Sequence, residues 1–151
     1  MEPPEDARTL DLAKLRHRAQ YARDDDLGNV IHAAGRLTAK AMILSNGDQP
    51  GREWMFGLDD KSHGQVCGAI QALSSLIEWG DPNLQLVEIA SKCGLRALVV
   101  HDAVRPVPLT LLGHLDENTL WIATGHRAHP HRLSAEQIAA ADNIAAEWLA
   151  S

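Results

Sequence analysis

The chain has 151 residues, of which 45% are hydrophobic and 23% are charged, a composition typical of one globular domain. Its net charge of -6 argues against a generally basic surface that coats nucleic acid, and its two cysteines are too few for a disulfide framework. The N-terminus is acidic and proline-rich rather than basic and then apolar, and no apolar run is long enough to cross a bilayer, so we expect a cytoplasmic protein without a membrane segment.

We expect a single domain over residues 1–151, with a flexible start at residues 1–6 and loops at 45–60 and 125–133. Inside the first of these loops, the short apolar run that begins at Trp54 is interpreted as a strand or as a plug on the core. The length of the chain is enough to bury a core without disulfides or metals.

The first half of the chain is predicted to be helical. Residues 7–23 carry apolar side chains at helical spacing. The stripe over residues 27–44 is longer and equally regular, and the acidic run 24–26 precedes it where a helix would present its positive dipole end. Together, the two stripes have enough apolar length to pair with a second copy, which predicts a homodimer.

Two more helices are predicted in the middle of the chain. Ser62 and Gln65 have the spacing of a capping box and precede an apolar stripe that stops at Trp79 and Gly80. A short fourth helix is predicted over residues 81–94, because an aspartate and a proline begin it and a glycine ends it.

Beyond Gly94 the pattern changes to that of strands. Three segments are apolar and partly β-branched: residues 95–101, 107–115 and 119–124. Residues 116–118 suit a hairpin turn, and Ser134 with Gln137 opens a final helix. The predicted fold is therefore α+β, with a helical N-terminal half and a C-terminal helix packed on one face of a three-stranded antiparallel sheet.

Residues 86–104 have the order of a helix-turn-helix, with Gly94 at the turn and the 116–118 hairpin as a wing. In this interpretation the protein is a DNA-binding transcription regulator, and the residues that contact DNA are Arg96, His101 and Arg105. The side chains of residues 97–100 are apolar and cannot hydrogen-bond to base edges, and Asp102 would repel phosphate. The same letters also fit a helix that turns into a buried strand.

A second candidate site is a histidine-rich loop that contains His126, His129 and His131. Neutral imidazoles are common ligands of transition metals, so the loop predicts a zinc site and, as an alternative function, a small metal-dependent hydrolase. Counted forward to Asp142, the segment is similar to the H-x-H-x7-S-x2-D zinc signature of JAMM metalloproteases, although Ala139 stands where that signature has serine.

Residues 100–106 read Val-His-Asp-Ala-Val-Arg-Pro. This segment resembles the V-H-D-A-x-R-P motif of the cytidylyltransferases that make cytidine-linked methylerythritol. The resemblance implies that Asp102 is a carboxylate near a metal and that Arg105 is its neighbour. The glycine-rich nucleotide loop of that family has no counterpart in the first 90 residues.

The thiol of Cys67 is a candidate nucleophile. His63 precedes Cys67 by one helical turn, but no third group that would orient the histidine can be assigned, so no catalytic residue is predicted. The sequence thus favours a non-catalytic, intracellular binding or regulatory protein that acts by protein–protein interaction through its acidic surface.

Overall fold

The computed structural model describes residues 29–79, 86–102 and 104–150. The predictions for residues 1–6 and 7–23 therefore lie outside the described residues. Within the described ranges, no helix has the length and apolar character needed to cross a membrane. The elements, in chain order, are β1 Val30–Ala34, β2 Leu37–Ala41, α1 Pro50–Phe56, α2 Asp60–Trp79, β3 Leu86–Glu88, β4 Arg96–Val100, β5 Leu109–Asp116, β6 Thr119–Arg127, a 3-10 helix Pro130–Arg132 and α3 Ala135–Ala150.

The strands form one six-stranded sheet in the order β1-β2-β6-β5-β4-β3. β2 and β6 run parallel, with Thr38 beside Thr119, while every other neighbouring pair is antiparallel. The α+β class is confirmed. The prediction of a three-stranded antiparallel sheet is wrong, because the N-terminal hairpin and the short strand β3 add to it on both sides.

A helix was predicted over residues 27–44, but the described part of this segment, residues 29–44, contains the β1–β2 hairpin. Gly35 takes a left-handed φ of 58° at the turn, and a Cβ built there would lie 2.8 Å from the Ser74 hydroxyl. Leu37, Ala39 and Ala41 are fully buried on one side of β2, and Lys40 is nearly buried on the other. A strand covered on both faces loses its alternation, so apolar spacing alone did not separate it from a helix. The helical pairing surface on which the homodimer prediction rested is therefore absent from residues 29–44.

The helix predicted over residues 81–94 is also wrong in its described part, where residues 86–88 form β3 and Gly94 turns the chain with a φ of 77°. β4 follows, paired with β3 on one side and β5 on the other. A residue such as Val100, which is 3% exposed, is hidden in this sheet and does not face solvent. Residues 86–102 therefore contain no reading helix for a DNA groove.

Other predictions are confirmed. α2, the strands β4 to β6 and α3 lie where the patterns placed them, and the β5–β6 hairpin turns through Glu117 at a φ of 53°. At the start of α3, the Gln137 amide donates to the Ser134 hydroxyl (3.0 Å) and the Ser134 amide donates to the Gln137 side chain (2.9 Å). The run at Trp54 is part of the short helix α1 and not a strand.

Helices cover both faces of the sheet, whereas the sequence predicted one. On one face, α2 buries Val66, Ile70 and Leu73 against β2 and the neighbouring strands. On the other, α3 packs on β6 through Trp148, whose ring lies 4.7 Å from that of Trp121. The apolar residues of β4, β5 and β6 divide between these two layers, which explains why these strands read as continuous apolar runs.

Asp142 of α3 fastens the turn that precedes β4. Its carboxylate accepts hydrogen bonds from the Ser91 hydroxyl (2.5 Å), the Lys92 amide (2.9 Å) and the Cys93 amide (3.3 Å). The Ser91 hydroxyl in turn accepts from the Leu95 amide at 2.9 Å. Asp142 is only 8% exposed, so this carboxylate is a structural part of the β3–β4 turn.

Candidate functional site

Three segments meet at the N-terminal end of α2: the α1–α2 connection, the loop between β4 and β5, and the end of β6. α2 begins here because the Asp59 carboxylate accepts a hydrogen bond from the Ser62 amide at 2.7 Å. The predicted capping pair was Ser62 with Gln65, but the cap is Asp59, and the Ser62 side chain is buried and serves other partners.

The β4–β5 loop is folded around the Asp102 carboxylate. One oxygen of Asp102 accepts from the backbone amides of Val104 (2.8 Å) and Arg105 (3.1 Å), and its side chain is 4% exposed. The bond from Val104, followed by that from Arg105, lowers the pKa of Asp102. The carboxylate is therefore ionised at neutral pH and sets the turn of the loop.

An ion pair ties the middle of this loop to the α1–α2 connection. The Arg105 guanidinium donates to Asp59 at 2.7 Å, and both side chains are about half exposed (48% and 47%). The hydrogen bonds from Ser62, first from its side chain, lower the pKa of Asp59 to about 2, with a smaller contribution from Arg105. Because the pair is partly exposed to water, it contributes little to the stability of the fold. Its main effect is to hold the loop against the α1–α2 connection.

Arg127, near the end of β6, completes the cluster. One terminal nitrogen donates to the Ser62 hydroxyl at 3.1 Å, and the other lies 3.4 Å from Asp102 and 3.3 Å from the Val107 carbonyl. Gln65 adds a 3.4 Å contact to Asp102. The loop, α2 and β6 are thus joined through two arginines and two aspartates whose charges balance.

This cluster supports an exposed apolar surface. Among the described residues, the exposed large hydrophobic side chains are Phe56 (54%), Val104 (67%) and Val107 (37%). The Phe56 ring lies 5.6 Å from the His63 ring and 5.2 Å from the Arg52 guanidinium carbon. We call these three hydrophobic residues, with the Arg105–Asp59 ion pair that joins their two segments of the chain, the loop surface.

The structure brings one of the three predicted DNA contacts into this cluster. Arg105 lies in the loop, and the exposed His101 stands at its beginning. Arg96 is at the opposite end of β4, 3.5 Å from Glu88. The three residues therefore do not share a helix face, and DNA binding stays a prediction without the element that was to deliver it.

The predicted metal ligands lie on different elements. His126 is on β6, where burial lowers its pKa and its Nε2 atom is buried without a hydrogen-bond partner in the described structure. His129 and His131 are exposed, before and within the 3-10 helix. Across the described ranges, no group of three histidine, cysteine or acidic side chains gathers as a metal site would require. Asp142, the last member of the JAMM-like spacing, is engaged with the turn before β4.

The thiols are poorly suited to nucleophilic chemistry. The Cys67 sulfur lies 3.8 Å from Nδ1 of His63, and burial raises its pKa. Burial, with the nearby charge of Asp142, raises the pKa of Cys93 to about 11. Because the thiolate is the reactive form, both cysteines are mainly protonated at neutral pH.

The chain matches no protein-family model, no curated protein and no solved structure. Sequence reasoning singled out Asp102 and Arg105 but missed Asp59 and Arg127, which join them from distant parts of the chain. It also missed the exposure of Val104. The only local signal was an aspartate two residues before a valine in a proline-bounded loop, which is typical of a turn that presents a side chain.

Proposed function

We propose that this chain is a non-catalytic, intracellular binding or regulatory protein that holds a protein partner on its loop surface. The observation that carries the proposal is the exposure of Val104, 67%, on a loop whose turn is fixed by a buried carboxylate. A loop whose turn is already held by hydrogen bonds loses less conformational entropy on binding, so its contacts contribute more fully to affinity.

The chemistry of the cluster supports binding over catalysis. The carboxylates of Asp59 and Asp102 accept hydrogen bonds that hold the backbone in place, and two arginines neutralise them. Groups used in this way are poor candidates for a base or a metal ligand. Cys67 and Cys93 are not joined in a disulfide, which supports an intracellular location, where thiols stay reduced.

A protein partner is favoured over nucleic acid because the arginines of the surface are paired with aspartates. Phosphate binding would require a free positive charge at this position. An exposed aromatic ring and two exposed valines, on two segments that an ion pair joins, instead have the mixed apolar and charged composition of a small protein interface.

The test places a photo-reactive benzoylphenylalanine at Val104 and, as the matched control, at Ala139, which is exposed on α3 across the sheet. In an extract of cells that express the protein, we expect the Val104 probe to label one protein that the Ala139 probe does not. An excess of unlabelled chain should compete, whereas a correctly folded Phe56→Asp chain should compete poorly. Capture of the chain itself would identify a second copy as the partner. Equal labelling from both positions, or equal competition by both chains, would refute the proposal.

A further inference from the structure

Arg127 contacts both ends of the loop that carries Val104. One of its terminal nitrogens is within 3.4 Å of Asp102 at the start of the loop and 3.3 Å of the Val107 carbonyl at its end. The other donates to Ser62 on α2.

The sheet explains this position. Arg127 pairs with Leu109 in the β5–β6 ladder, and Leu109 is the first residue of β5, which begins directly after the loop. The guanidinium therefore starts from the strand that borders the loop, on the face that α2 covers, and its planar donors can satisfy several acceptors at once. A lysine at this position has a single ammonium with a shorter reach.

Arg105 has a different part in the cluster. It leaves from the middle of the loop and reaches outward to Asp59 and, at 3.4 Å, to Ser62. Removing it detaches the loop from the α1–α2 connection but leaves both ends of the loop in place. Removing Arg127 instead takes away a contact at each end of the loop, between the paired residues Val100 and Leu109.

We infer that Arg127 is the positioning residue of the loop surface: it holds the loop in the one conformation that presents Val104, without itself contacting the partner. The link to partner binding rests on the proposed function. The effect on the loop does not, because it is a property of the isolated chain and can be measured without a partner.

The first arm of the test measures amide exchange by NMR at Val104 and Arg105, whose N–H groups donate to Asp102. In Arg127→Gln, loss of the hydrogen bonds to both loop ends should speed exchange at these amides about fivefold or more. Arg132→Gln, which makes the same charge change at an exposed residue, is the matched control and should leave exchange unchanged. Unchanged exchange in Arg127→Gln would overturn the inference.

Arg127→Lys separates geometry from charge and provides a second variant should the glutamine chain fold poorly. We expect it to leave exchange at the same two amides clearly faster than in the native chain. A lysine has one nitrogen on a shorter side chain, so it cannot contact Asp102 and the Val107 carbonyl and also keep the hydrogen bond that the second nitrogen of Arg127 donates to Ser62. Full restoration of native exchange by lysine would show that charge alone is sufficient and would overturn the positioning role.

The second arm repeats the Val104 photo-labelling in the Arg127→Gln background. A fall in labelling together with faster exchange supports the whole inference. Faster exchange with undiminished labelling would separate the loop from partner binding, and so overturn that link while the hold of Arg127 on the loop stands. Absence of specific labelling in the native chain would refute the proposed function alone, since the exchange arm is independent of it.

Discussion

Replacing Asp142 by alanine tests the most heavily hydrogen-bonded carboxylate on α3. The substitution removes the acceptor of three donors: the Ser91 hydroxyl and the amides of Lys92 and Cys93. Cys93 is 2% exposed, so its amide would be left buried without a partner, whereas Lys92 is exposed and its amide can bind water. Summing one full penalty and two net losses predicts a destabilisation of about 3 kcal/mol.

For a domain of this size, that loss corresponds to a fall in Tm of roughly 6 to 12 °C. Urea unfolding followed by tryptophan fluorescence gives the free energy, and calorimetry gives Tm. Asn143→Ala, the exposed neighbour on the same helix, should change stability by less than about 0.5 kcal/mol. If the Asp142→Ala and Asn143→Ala chains unfold at the same urea concentration, the structural role argued for this carboxylate is incorrect.

Three further outcomes are expected. In the native chain at neutral pH, iodoacetamide should modify Cys67 slowly and Cys93 hardly at all, because burial raises the pKa of both thiols. Rapid modification of Cys93 would contradict its burial. The pKa of Asp59 is lowered to about 2, so the stabilisation that this carboxylate contributes is complete above its ordinary pKa of 3.8 and is lost as pH falls through about 2. The difference in urea midpoint between the native chain and Asp59→Asn should therefore shrink on acidification. A difference that stays constant would count against Asp59 as the cap of α2. Gly125→Ala should lower Tm, because a Cβ at this position would lie 2.6 Å from the ring of Trp54 on α1. Gly64→Ala, on α2 with open space around it, should instead raise stability by up to about 1 kcal/mol. Similar changes in Tm for the two variants would refute this distinction.

The strands β4 to β6 and the helix α3 were predictable because each carries its own signal. Ser134 and Gln137 have the spacing of a capping box that begins α3, and both of its reciprocal hydrogen bonds are present in the structure. The same holds for the β5–β6 turn, where Glu117 takes a left-handed conformation between two apolar strands. Signals of this kind survive because they do not depend on distant neighbours.

The N-terminal hairpin was not predictable from spacing. Ile31, Ala34, Leu37 and Ala41 are buried and recur at three- and four-residue intervals, as a helix would require, yet they lie on two strands. Gly35 was the contrary signal, since a left-handed turn fits between two strands but not inside a helix. What decides the outcome is pairing with β6, a contact that no local window contains.

The candidate site was only half visible for the same reason. Asp102 and Arg105 were singled out because they lie in the segment that resembles the V-H-D-A-x-R-P motif, and not for the turn that they form in the structure. Asp59 and Arg127 carry no local mark of their role. They belong to the cluster because the fold brings α2 and the end of β6 against the loop.

The parallel junction between β2 and β6 has a consequence for how this protein is made on the ribosome. β2 can pair with β6 only after Thr119 and the rest of β6 have been synthesised, so nearly the entire described chain has to emerge from the ribosome first. Until then, the β2 edge of the β1–β2 hairpin leaves its backbone N–H and C=O groups unpaired. Contacts between residues so far apart in the sequence also form slowly. During synthesis, that unpaired edge can associate with other chains until β6 covers it.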